Sequence, residues 1–321
     1  MKLVNIGENR DPRLNLAIEE YVIRNFPTGE DYVLFYINNP SVIIGKNQNV
    51  FEEVNLNYAN LNKIEVVRRI SGGGAVYHDH GNLNYSLISK SGEYTLDSLS
   101  GFNKEVVGCL NKLGVPAVQN KRNDIYLDGK KISGNARFSS KDILCTHSTL
   151  LFDADINHLR NSLDVSKVNS DSKSTKSVRS GVNTIKEYLK KDFTIDMLKD
   201  ELTNSIFNKN ISLVELSESD YNGILKIQNK KYNLWEWNFG RSPKSKIKRE
   251  VKFRDEVILF EIEIKEGIIT NIDASGSTQF SDIKNLMEEI KGAKYIIDKL
   301  RNTIDNYKIE NEVKVLLKSI F

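Results

Sequence analysis

The sequence has few cysteines, few prolines and no long hydrophobic run. Its 321 residues include two cysteines and five prolines. Two cysteines are too few for a disulfide framework or a zinc cluster, which is typical of a reducing compartment. No stretch approaches the roughly 20 apolar residues of a membrane span, and the N-terminal residues lack the basic and apolar regions of a signal peptide. We therefore expect a cytoplasmic protein with no membrane partner.

The charge of the chain is nearly balanced. Its 46 basic and 43 acidic residues give a net charge of +3, and the basic residues are spread along the chain. Nucleic-acid-binding proteins concentrate basic residues in a patch or stripe, so the composition does not favour a nucleic-acid partner. The chain also lacks the Gly-x-x-x-x-Gly-Lys-Ser/Thr and Gly-x-Gly-x-x-Gly motifs, so neither a P-loop nor a dinucleotide-binding fold explains its glycines.

The distribution of apolar residues predicts an α+β fold. Asp11 and Pro12 precede an apolar face and predict a helix over residues 12–26, because aspartate caps helices and proline suits the first helical position. Five short β-rich runs between residues 32 and 88 predict a mixed, mostly antiparallel sheet flanked by helices. Asp128-Gly129 predicts a hairpin turn. Further predicted elements are helices near 101–114, 195–208, 218–229, 280–291 and 293–304, and strands near 124–127, 144–152, 250–254, 257–265 and 268–273.

The length of the chain allows a large domain and a smaller one. We place the boundary after an aromatic and then basic segment at residues 235–245. Residues 1–245 then form the large domain, and residues 246–321 form a small α+β accessory domain that leans on it. Residues 166–183 contain too few apolar side chains to bury, which predicts a mobile loop, either a functional lid or a disordered segment.

A glycine triplet after two arginines is the most informative motif. Residues 68–78 read Arg-Arg-Ile-Ser-Gly-Gly-Gly-Ala-Val-Tyr-His. Glycines let a ligand reach bare backbone N–H groups, and arginine offers a planar fork that suits phosphate or carboxylate. The motif therefore predicts an anion-binding turn. The alternative is a tight hairpin whose arginines lie in solvent.

A second motif places a lysine pair after a hairpin turn. Residues 123–136 read Asn-Asp-Ile-Tyr-Leu-Asp-Gly-Lys-Lys-Ile-Ser-Gly-Asn-Ala. On a strand, Lys130 and Lys131 face opposite ways, so one of them can point inward and stabilise charge where a carboxylate attacks a phosphate. Asp124 could hold Mg²⁺ through one oxygen while substrate phosphates supply other ligands. The alternatives are a surface hairpin with solvated lysines and an aspartate that ends a strand.

These segments, taken in order, resemble the lipoate-protein ligases, within the superfamily that also contains biotin ligases and octanoyltransferases. In one respect the chain departs from the family pattern, since Arg137 and Phe138 stand in the opposite order to the usual aromatic residue followed by arginine. The resemblance runs through nearly the whole chain and rests on residues 15–20, 68–79, 81–82, 123–124, 131–136, 147–151, 177–180 and 237–240.

The resemblance implies an ATP-dependent ligase with two half-reactions. Lipoate attacks the α-phosphate of ATP to give lipoyl-adenylate and pyrophosphate. An acceptor lysine then takes the lipoyl group and releases AMP. The implied partners are lipoate and the apo lipoyl domains of 2-oxoacid dehydrogenase E2 subunits, the glycine-cleavage H protein, or both, with ATP and Mg²⁺ required for activation.

The resemblance also implies roles for individual residues. Lys131 would act as the catalytic charge stabiliser between carboxylate and phosphate, and Asp124 would hold Mg²⁺. The loop at residues 177–179 would close over the adenylate and exclude water. The implied ATP- and adenylate-binding residues are Arg69, Gly72, Gly73, Gly74, Ala75, Val76, Tyr77, Asn123, Asp124, Lys131, Ser177, Val178 and Arg179. The implied lipoate-binding residues are Arg69, Ser71, Gly74, His78, Lys131, Gly134, Ala136 and His147.

Other interpretations remain open at this stage. His78 and His147 could equally be hydrogen-bonded core residues. An octanoyl or lipoyl transferase that moves acyl groups between carrier domains would use an activated cysteine upstream of the lysine motif, where residues 118–123 contain none; Cys145 lies after the motif. A non-catalytic binder of lipoyl domains is a third possibility, although it would not need the arginine, glycine, aspartate and lysine positions intact.

Overall fold

The computed structural model describes residues 1–90, 96–140, 142–165, 169–172, 174–177, 181–253, 256–275 and 281–321. Two compact units are present. Each combines three separate stretches of chain: the first contains Met1–Lys46, Glu65–Arg160 and Ser177–Leu234, and the second contains Asn47–Ile64, Asn161–Lys176 and Trp235–Phe321. The domain boundary at residues 245 and 246 stays a prediction.

Strands and helices follow one another largely in runs of the same type, which is typical of the predicted α+β fold. None of the helices in the described ranges has both the length and the apolar content needed to cross a membrane. The strands are β1 (Lys2–Asn5), β2 (Tyr32–Tyr36), β3 (Ser41–Ile44), β4 (Glu65–Arg68), β5 (Val76–His78), β6 (Asn82–Lys90), β7 (Val118–Gln119), β8 (Ile125–Leu127), β9 (Lys130–Ser133), β10 (Asn135–Ser139), β11 (Ile143–Leu151), β12 (Asn169–Asp171), β13 (Leu213–Glu215), β14 (Ser245–Phe253), β15 (Glu256–Lys265) and β16 (Ile268–Ser275). The helices are α1 (Pro12–Asn25), α2 (Val50–Glu53), α3 (Leu56–Leu61), α4 (Leu96–Lys112), α5 (Ile156–Ser162), α6 (Ile195–Ile206), α7 (Glu218–Ile227), α8 (Ser281–Ile290), α9 (Ile297–Asn306) and α10 (Asn311–Ser319).

The largest sheet of the first unit has the strand order β10-β11-β6-β2-β1-β13. Its first four strands pair antiparallel, whereas β1 pairs parallel with both β2 and β13. This confirms the predicted mixed, mostly antiparallel sheet. Its buried side chains join those of α4 and α6 in one core that includes Val33, Leu83, Val106, Leu110, Ile125, Leu150, Leu198 and Leu202.

Helix α1 confirms the predicted bounds to within one residue at its C-terminal end. The Asp11 carboxylate accepts a hydrogen bond from the Arg13 backbone N–H at 2.8 Å, and Pro12 occupies the first turn, where its missing N–H costs nothing. The helix buries its apolar face together with two carboxylates, Glu19 and Glu20. Buried carboxylates need partners, and those of Glu19 belong to the site described below.

A three-stranded sheet of order β4-β3-β5 presents the glycine motif. Strand β3 pairs parallel with β4 and antiparallel with β5. The loop at residues 69–75, called the glycine loop below, joins the two outer strands and therefore crosses the end of the central one. Gly45 follows that central strand, and the glycine loop passes directly over it.

The lysine motif lies on the hairpin formed by β8 and β9. The turn residues Asp128 and Gly129 both have positive φ, at 48° and 73°. This is the backbone of a two-residue type I′ turn, for which Asp-Gly is a preferred sequence. The structure therefore confirms the predicted hairpin, and it leaves Lys130 exposed and Lys131 half-buried.

The second unit contains a four-stranded sheet of order β12-β14-β15-β16 together with α8, α9 and α10. The predicted strands and helices are present, but α9 begins at Ile297 rather than near residue 293. The intervening residues are held by backbone hydrogen bonds from Ile269 N to Ala293 O and from Tyr295 N to Gly267 O, which prevent helix formation. Helix α10 was not predicted.

Part of the segment predicted as a mobile loop at residues 166–183 is ordered. Residues of β12 add to the edge of β14 through backbone pairing, which requires no apolar side chains and so left no hydrophobic signal. Residues 166–168, 173 and 178–180 lie outside the described residues. The predicted site residues Val178 and Arg179 are among them.

A buried carboxylate in α2 fastens the described part of this segment. Glu52, 3% exposed, accepts hydrogen bonds from the hydroxyls of Ser172 and Ser174 and from the ammonium group of Lys176. All three groups contact the same carboxylate oxygen, Glu52 Oε2. Hydrogen bonds to Glu52, rather than apolar contacts, therefore hold this part of the segment in place.

Candidate active site

Arg69 organises the glycine loop from inside. Its side chain is 3% exposed, and Nη2 donates to the carbonyl oxygens of Gly72 and Gly74 at 2.6 and 2.8 Å. Nη1 donates to Ile43 O at 3.0 Å, and Nε donates to Ser71 Oγ at 2.9 Å. Four of the five guanidinium N–H groups are thus used within the protein. At most one remains for a ligand.

A chain of buried side chains extends from Arg69 to helix α1. Ser71 Oγ lies 2.7 Å from His147 Nε2, and His147 Nδ1 lies 3.0 and 3.1 Å from the two oxygens of Glu19. The Ser86 hydroxyl also donates to Glu19. Because a carboxylate only accepts hydrogen bonds, His147 must carry a proton on Nδ1.

The charges of Glu19 and Arg69, at the two ends of this row of side chains, balance each other. Burial alone would raise the pKa of the Glu19 carboxyl, but His147, the Ser86 hydroxyl and Arg69 together hold that pKa below its ordinary value. Burial lowers the pKa of the Arg69 guanidinium to about 10, against the opposing attraction of Glu19. A buried carboxylate and a buried guanidinium therefore compensate each other across the two intervening side chains.

His78 is a neutral imidazole with a fixed tautomer. Asn15 Nδ2 donates to Asn38 Oδ1 at 2.8 Å, which turns Asn38 Nδ2 toward His78 Nδ1 at 2.9 Å. The proton of His78 is therefore on Nε2, a buried atom that has no hydrogen-bond partner among the described residues. Burial, together with repulsion from Arg69, lowers the pKa of His78 to about 3.

The glycine loop closely approaches two other predicted site segments. A Cβ added to Gly73, whose φ is +91°, would lie 3.6 Å from the Ala136 Cβ, and one added to Gly74 would lie 3.1 Å from Ser177 Oγ. The Ala75 N–H donates to that same hydroxyl at 3.0 Å. The structure therefore brings together the glycine loop, the end of the lysine motif and the first residue of the predicted adenylate loop.

Lys131 and Asp124 form an ion pair at the base of the hairpin. Lys131 Nζ lies 2.8 Å from Asp124 Oδ1, with the two side chains 25% and 16% exposed. Lys131 Cε also lies 3.8 Å from the position of a Cβ on Gly134. The backbone of Lys131 is fixed by hydrogen bonds with Gly181 O and with the N–H of Asn183. The predicted cation and the predicted metal ligand are thus direct neighbours.

Asn123 sets the position of Asp124. Its φ is +63°, a conformation that asparagine tolerates better than most residues. Its carbonyl oxygen accepts hydrogen bonds from Asn103 Nδ2 at 2.7 Å and from Asn135 Nδ2 at 2.6 Å. The Ser148 hydroxyl in turn donates to Asn135 Oδ1. This network holds the backbone in its strained turn just before the carboxylate.

The structure places the remaining predicted residues on the same elements. Val76 and Tyr77 lie on β5 next to the glycine loop, and Gly134 joins β9 to β10. Glu19, Asn38 and Asn135 were not predicted as site residues. For Glu19 a signal existed, since a charged residue on the apolar face of a helix needs a buried partner. Asn38 and Asn135 carry no such signal.

A family model described as the lipoyl protein ligase A/B catalytic domain matches residues 11–207. Among curated proteins, lipoate-protein ligase LplJ of Bacillus subtilis is 43% identical over 285 residues, covering 86% of each chain. Lipoate-protein ligase 1 of Staphylococcus aureus is 39% identical over 311 residues, covering 96% of this chain and 95% of the relative.

Solved structures show the same similarity. A Thermoplasma acidophilum protein described as a lipoate protein ligase, with bound lipoic acid, is 30% identical with a TM-score of 0.63, covering 74% of this chain and 98% of that one. A bipartite lipoate protein ligase of the same organism, studied with its E2 lipoyl domain, is 29% identical with a TM-score of 0.65, covering 75% of this chain and 96% of that one. A lipoate-protein ligase A bound with ATP is 28% identical with a TM-score of 0.62, covering 75% of this chain and 99% of that one.

The family match covers more than half of the chain, and it contains both the glycine loop and the lysine hairpin. The two relatives extend the similarity into the residues that follow. The chain belongs to the lipoate-protein ligase family.

Proposed function

We propose that this enzyme activates lipoate with ATP to form lipoyl-adenylate and pyrophosphate, and then transfers the lipoyl group to a lysine of an acceptor protein. The observation that carries this proposal is the pairing of Lys131 with Asp124 on a hairpin that continues into Ala136, beside Gly73. An ammonium group and the backbone amides of the glycine loop are suited to a carboxylate attacking a phosphate. The ATP-bound relative supports the choice of nucleotide.

Lys131 is the charge stabiliser in this proposal. Its ammonium group is neutralised by Asp124 before substrate arrives, and it turns toward the substrate when phosphate oxygens offer a stronger partner. The negative charge that develops between lipoate carboxylate and α-phosphate then faces this ammonium group, which lowers the barrier to attack. Since Arg69 has at most one N–H to spare, the glycine loop amides supply most of the remaining contacts to the phosphate.

Asp124 fits the proposed Mg²⁺. Its carboxylate is only partly buried, and the positive and polar groups of Lys131 and Asn135 contact Oδ1. One protein carboxylate with phosphate and water oxygens is the usual environment of Mg²⁺ in nucleotide-binding sites. When bound, the ion would neutralise phosphate charge.

The acyl group is assigned to the region of His78 and His147. The Nε2–H of His78 is a buried donor that a bound substrate can satisfy, and His147 lies beside Ser71 and the glycine loop. The relative with bound lipoic acid supports lipoate as the substrate. Ser71, Gly134 and Ala136 complete the proposed lipoate-binding set.

The proposed adenylate loop begins at Ser177, beside Gly74 and Ala75. Closure of this loop would exclude water from the acyl-adenylate, a reactive mixed anhydride. Val178 and Arg179 would belong to the same loop. As acceptors we propose the lipoyl domain of a 2-oxoacid dehydrogenase E2 subunit, the class named with the bipartite relative, or the glycine-cleavage H protein.

A transferase that uses a cysteine nucleophile does not fit the site. Both cysteines are buried. Burial raises the pKa of the Cys109 thiol to about 11, and burial together with the charge of Glu19 raises that of Cys145 well above its ordinary value. Because the thiolate is the nucleophile, neither residue is prepared for acyl transfer.

The test uses purified protein with ATP, Mg²⁺, lipoate and an apo lipoyl domain. Acceptor modification that requires ATP and lipoate, with pyrophosphate release, is the expected result. Transfer from an octanoylated or lipoylated carrier without ATP would show that the protein is a transferase and not an ATP-dependent ligase. Absence of both reactions, with binding of the acceptor retained, would leave only a binding protein.

A further inference from the structure

We propose that Glu19 is a positioning residue for the glycine loop, acting through His147, Ser71 and Arg69. Glu19 lies on helix α1, and none of the predicted ligand contacts involves it. The proposal rests on the adenylate-forming function proposed above. It assigns the helix carboxylate a role in setting the geometry of the phosphate-binding amides.

Glu19 acts first on His147, whose tautomer it sets. Its Nδ1 lies within 3.1 Å of both oxygens of Glu19, which is 1% exposed. The carboxylate requires a proton on Nδ1, and an imidazole ring that carries its single proton there can only accept at Nε2. The hydroxyl of Ser71, 2.7 Å from Nε2, therefore points its proton at the ring.

The second step passes from Ser71 to Arg69. With its proton directed at His147, Ser71 Oγ presents a lone pair to the Nε–H of Arg69 at 2.9 Å. This fixes the plane of the guanidinium, because its N–H groups form a rigid fork. The same fork holds the carbonyl oxygens of Gly72 and Gly74.

The third step turns the backbone amides. In a trans peptide the N–H and C=O groups point in opposite directions. Holding Gly72 O and Gly74 O against Arg69 therefore turns the N–H groups of Gly73 and Ala75 away from the arginine. The Ala75 N–H donates to Ser177 Oγ, and the Gly73 N–H, which also points away from Arg69, is the group that we assign as a donor to an anion.

The test compares Glu19→Gln with a neighbouring control. Glutamine keeps the size of the side chain but no longer requires a proton on His147 Nδ1, so the ring can adopt the other tautomer. We expect kcat for pyrophosphate release with ATP and lipoate to fall by roughly 10- to 100-fold, the range that small misplacement of reacting groups produces, with KM for lipoate within about twofold. Glu19→Asp, which keeps the carboxylate, should recover most of the loss.

Glu20→Gln is the matched control. Glu20 is the next residue, is equally buried and pairs with Lys231, Tyr232 and Arg24, not with His147. Its loss should lower thermal stability but change kcat little at a temperature where the variant is folded.

A double-mutant cycle separates positioning from general stabilisation. If Glu19 acts through Ser71, the variant with both Glu19→Gln and Ser71→Ala should be no slower than Ser71→Ala alone. Multiplicative losses in that pair, unchanged kcat in Glu19→Gln, or an effect confined to KM for lipoate would each overturn the proposal. If Glu19→Gln does not fold, His147→Asn with Ser71→Ala provides the same test. Failure of the wild-type protein to release pyrophosphate would instead refute the proposed function.

Discussion

The carbonyl oxygen of Gly73 occupies the space beside Gly45, where an added Cβ would lie only 2.2 Å away. Real Cβ atoms do not approach a backbone oxygen so closely, so the glycine loop and the end of β3 fit together only without that carbon. Gly45 was absent from the sequence-based site because its role is visible only once the loop is seen to cross the sheet.

We expect Gly45→Ala to displace the glycine loop. The added methyl group should lower the free energy of unfolding by about 1–3 kcal/mol, as overpacking does, and should raise KM for ATP. Gly72→Ala is the stability control, because a Cβ at that position meets no heavy atom within 4 Å. Thermal melting and pyrophosphate kinetics measure both effects. Equal melting temperatures of the two variants would contradict the expected clash.

Lys131→Ala should abolish adenylate formation while leaving the fold intact. The side chain is partly exposed and its main contact is Asp124, so its removal leaves the core unchanged. Loss of a group that stabilises developing charge costs on the order of 100- to 1,000-fold in kcat, measured as pyrophosphate release. Lys130→Ala, which changes the exposed neighbour on the same strand, should retain activity. Wild-type kinetics in Lys131→Ala would remove the role proposed for it.

Acid should destabilise the protein through His78. Its pKa of about 3 in the folded state lies below the ordinary 6.5, so between these values the unfolded chain binds more protons. The free energy of unfolding should therefore rise with pH through this window and level off above about pH 6.5, with a slope from this residue of at most about 1.4 kcal/mol per pH unit.

Chemical denaturation between pH 4 and pH 8 measures this slope. His78→Gln should flatten it below pH 6.5, because the buried titrating group is gone. His80→Gln, at an exposed histidine two residues later, is the control and should keep the wild-type slope. Parallel curves for wild type and His78→Gln would show that His78 is not the group responsible.

Glu52→Ala should release the segment that Glu52 holds. Without the carboxylate, the Ser172 and Ser174 hydroxyls and the Lys176 ammonium lose their shared partner. We expect trypsin to cleave after Lys176 at least about tenfold faster under native conditions, since local opening governs such cleavage. Glu30→Ala, which breaks the exposed pair with Lys2, should leave that rate unchanged. The cleavage site is identified by mass spectrometry.

The features that the sequence predicted well are local ones. The cap at Asp11 and the turn at Asp128-Gly129 each depend on the conformational preferences of a few adjacent residues. Strand alternation predicted that one of Lys130 and Lys131 could point inward, and in the structure Lys131 is the half-buried one. Such preferences act at short range, so they can be read directly from the chain.

The features that escaped prediction depend on distant partners. Glu19 and His147 are 128 positions apart, and nothing in either neighbourhood specifies the other. Asn135 likewise acquires its contacts with Asn123 and Asp124 only when β8, β9 and β10 are assembled. Strand β12 was missed because its pairing uses backbone groups, which are the same in every sequence.

The interleaving of the two units constrains how the chain can fold during synthesis. Residues 47–64 and 161–176 leave the ribosome long before residues 235–321, with which they form the second unit. Early segments of that unit must therefore wait, without their final partners, until residues 235–321 have been synthesised. A chain that stops at residue 245 would keep these two segments but lack the strands and helices that complete their fold, so the accessory region cannot be treated as a detachable module.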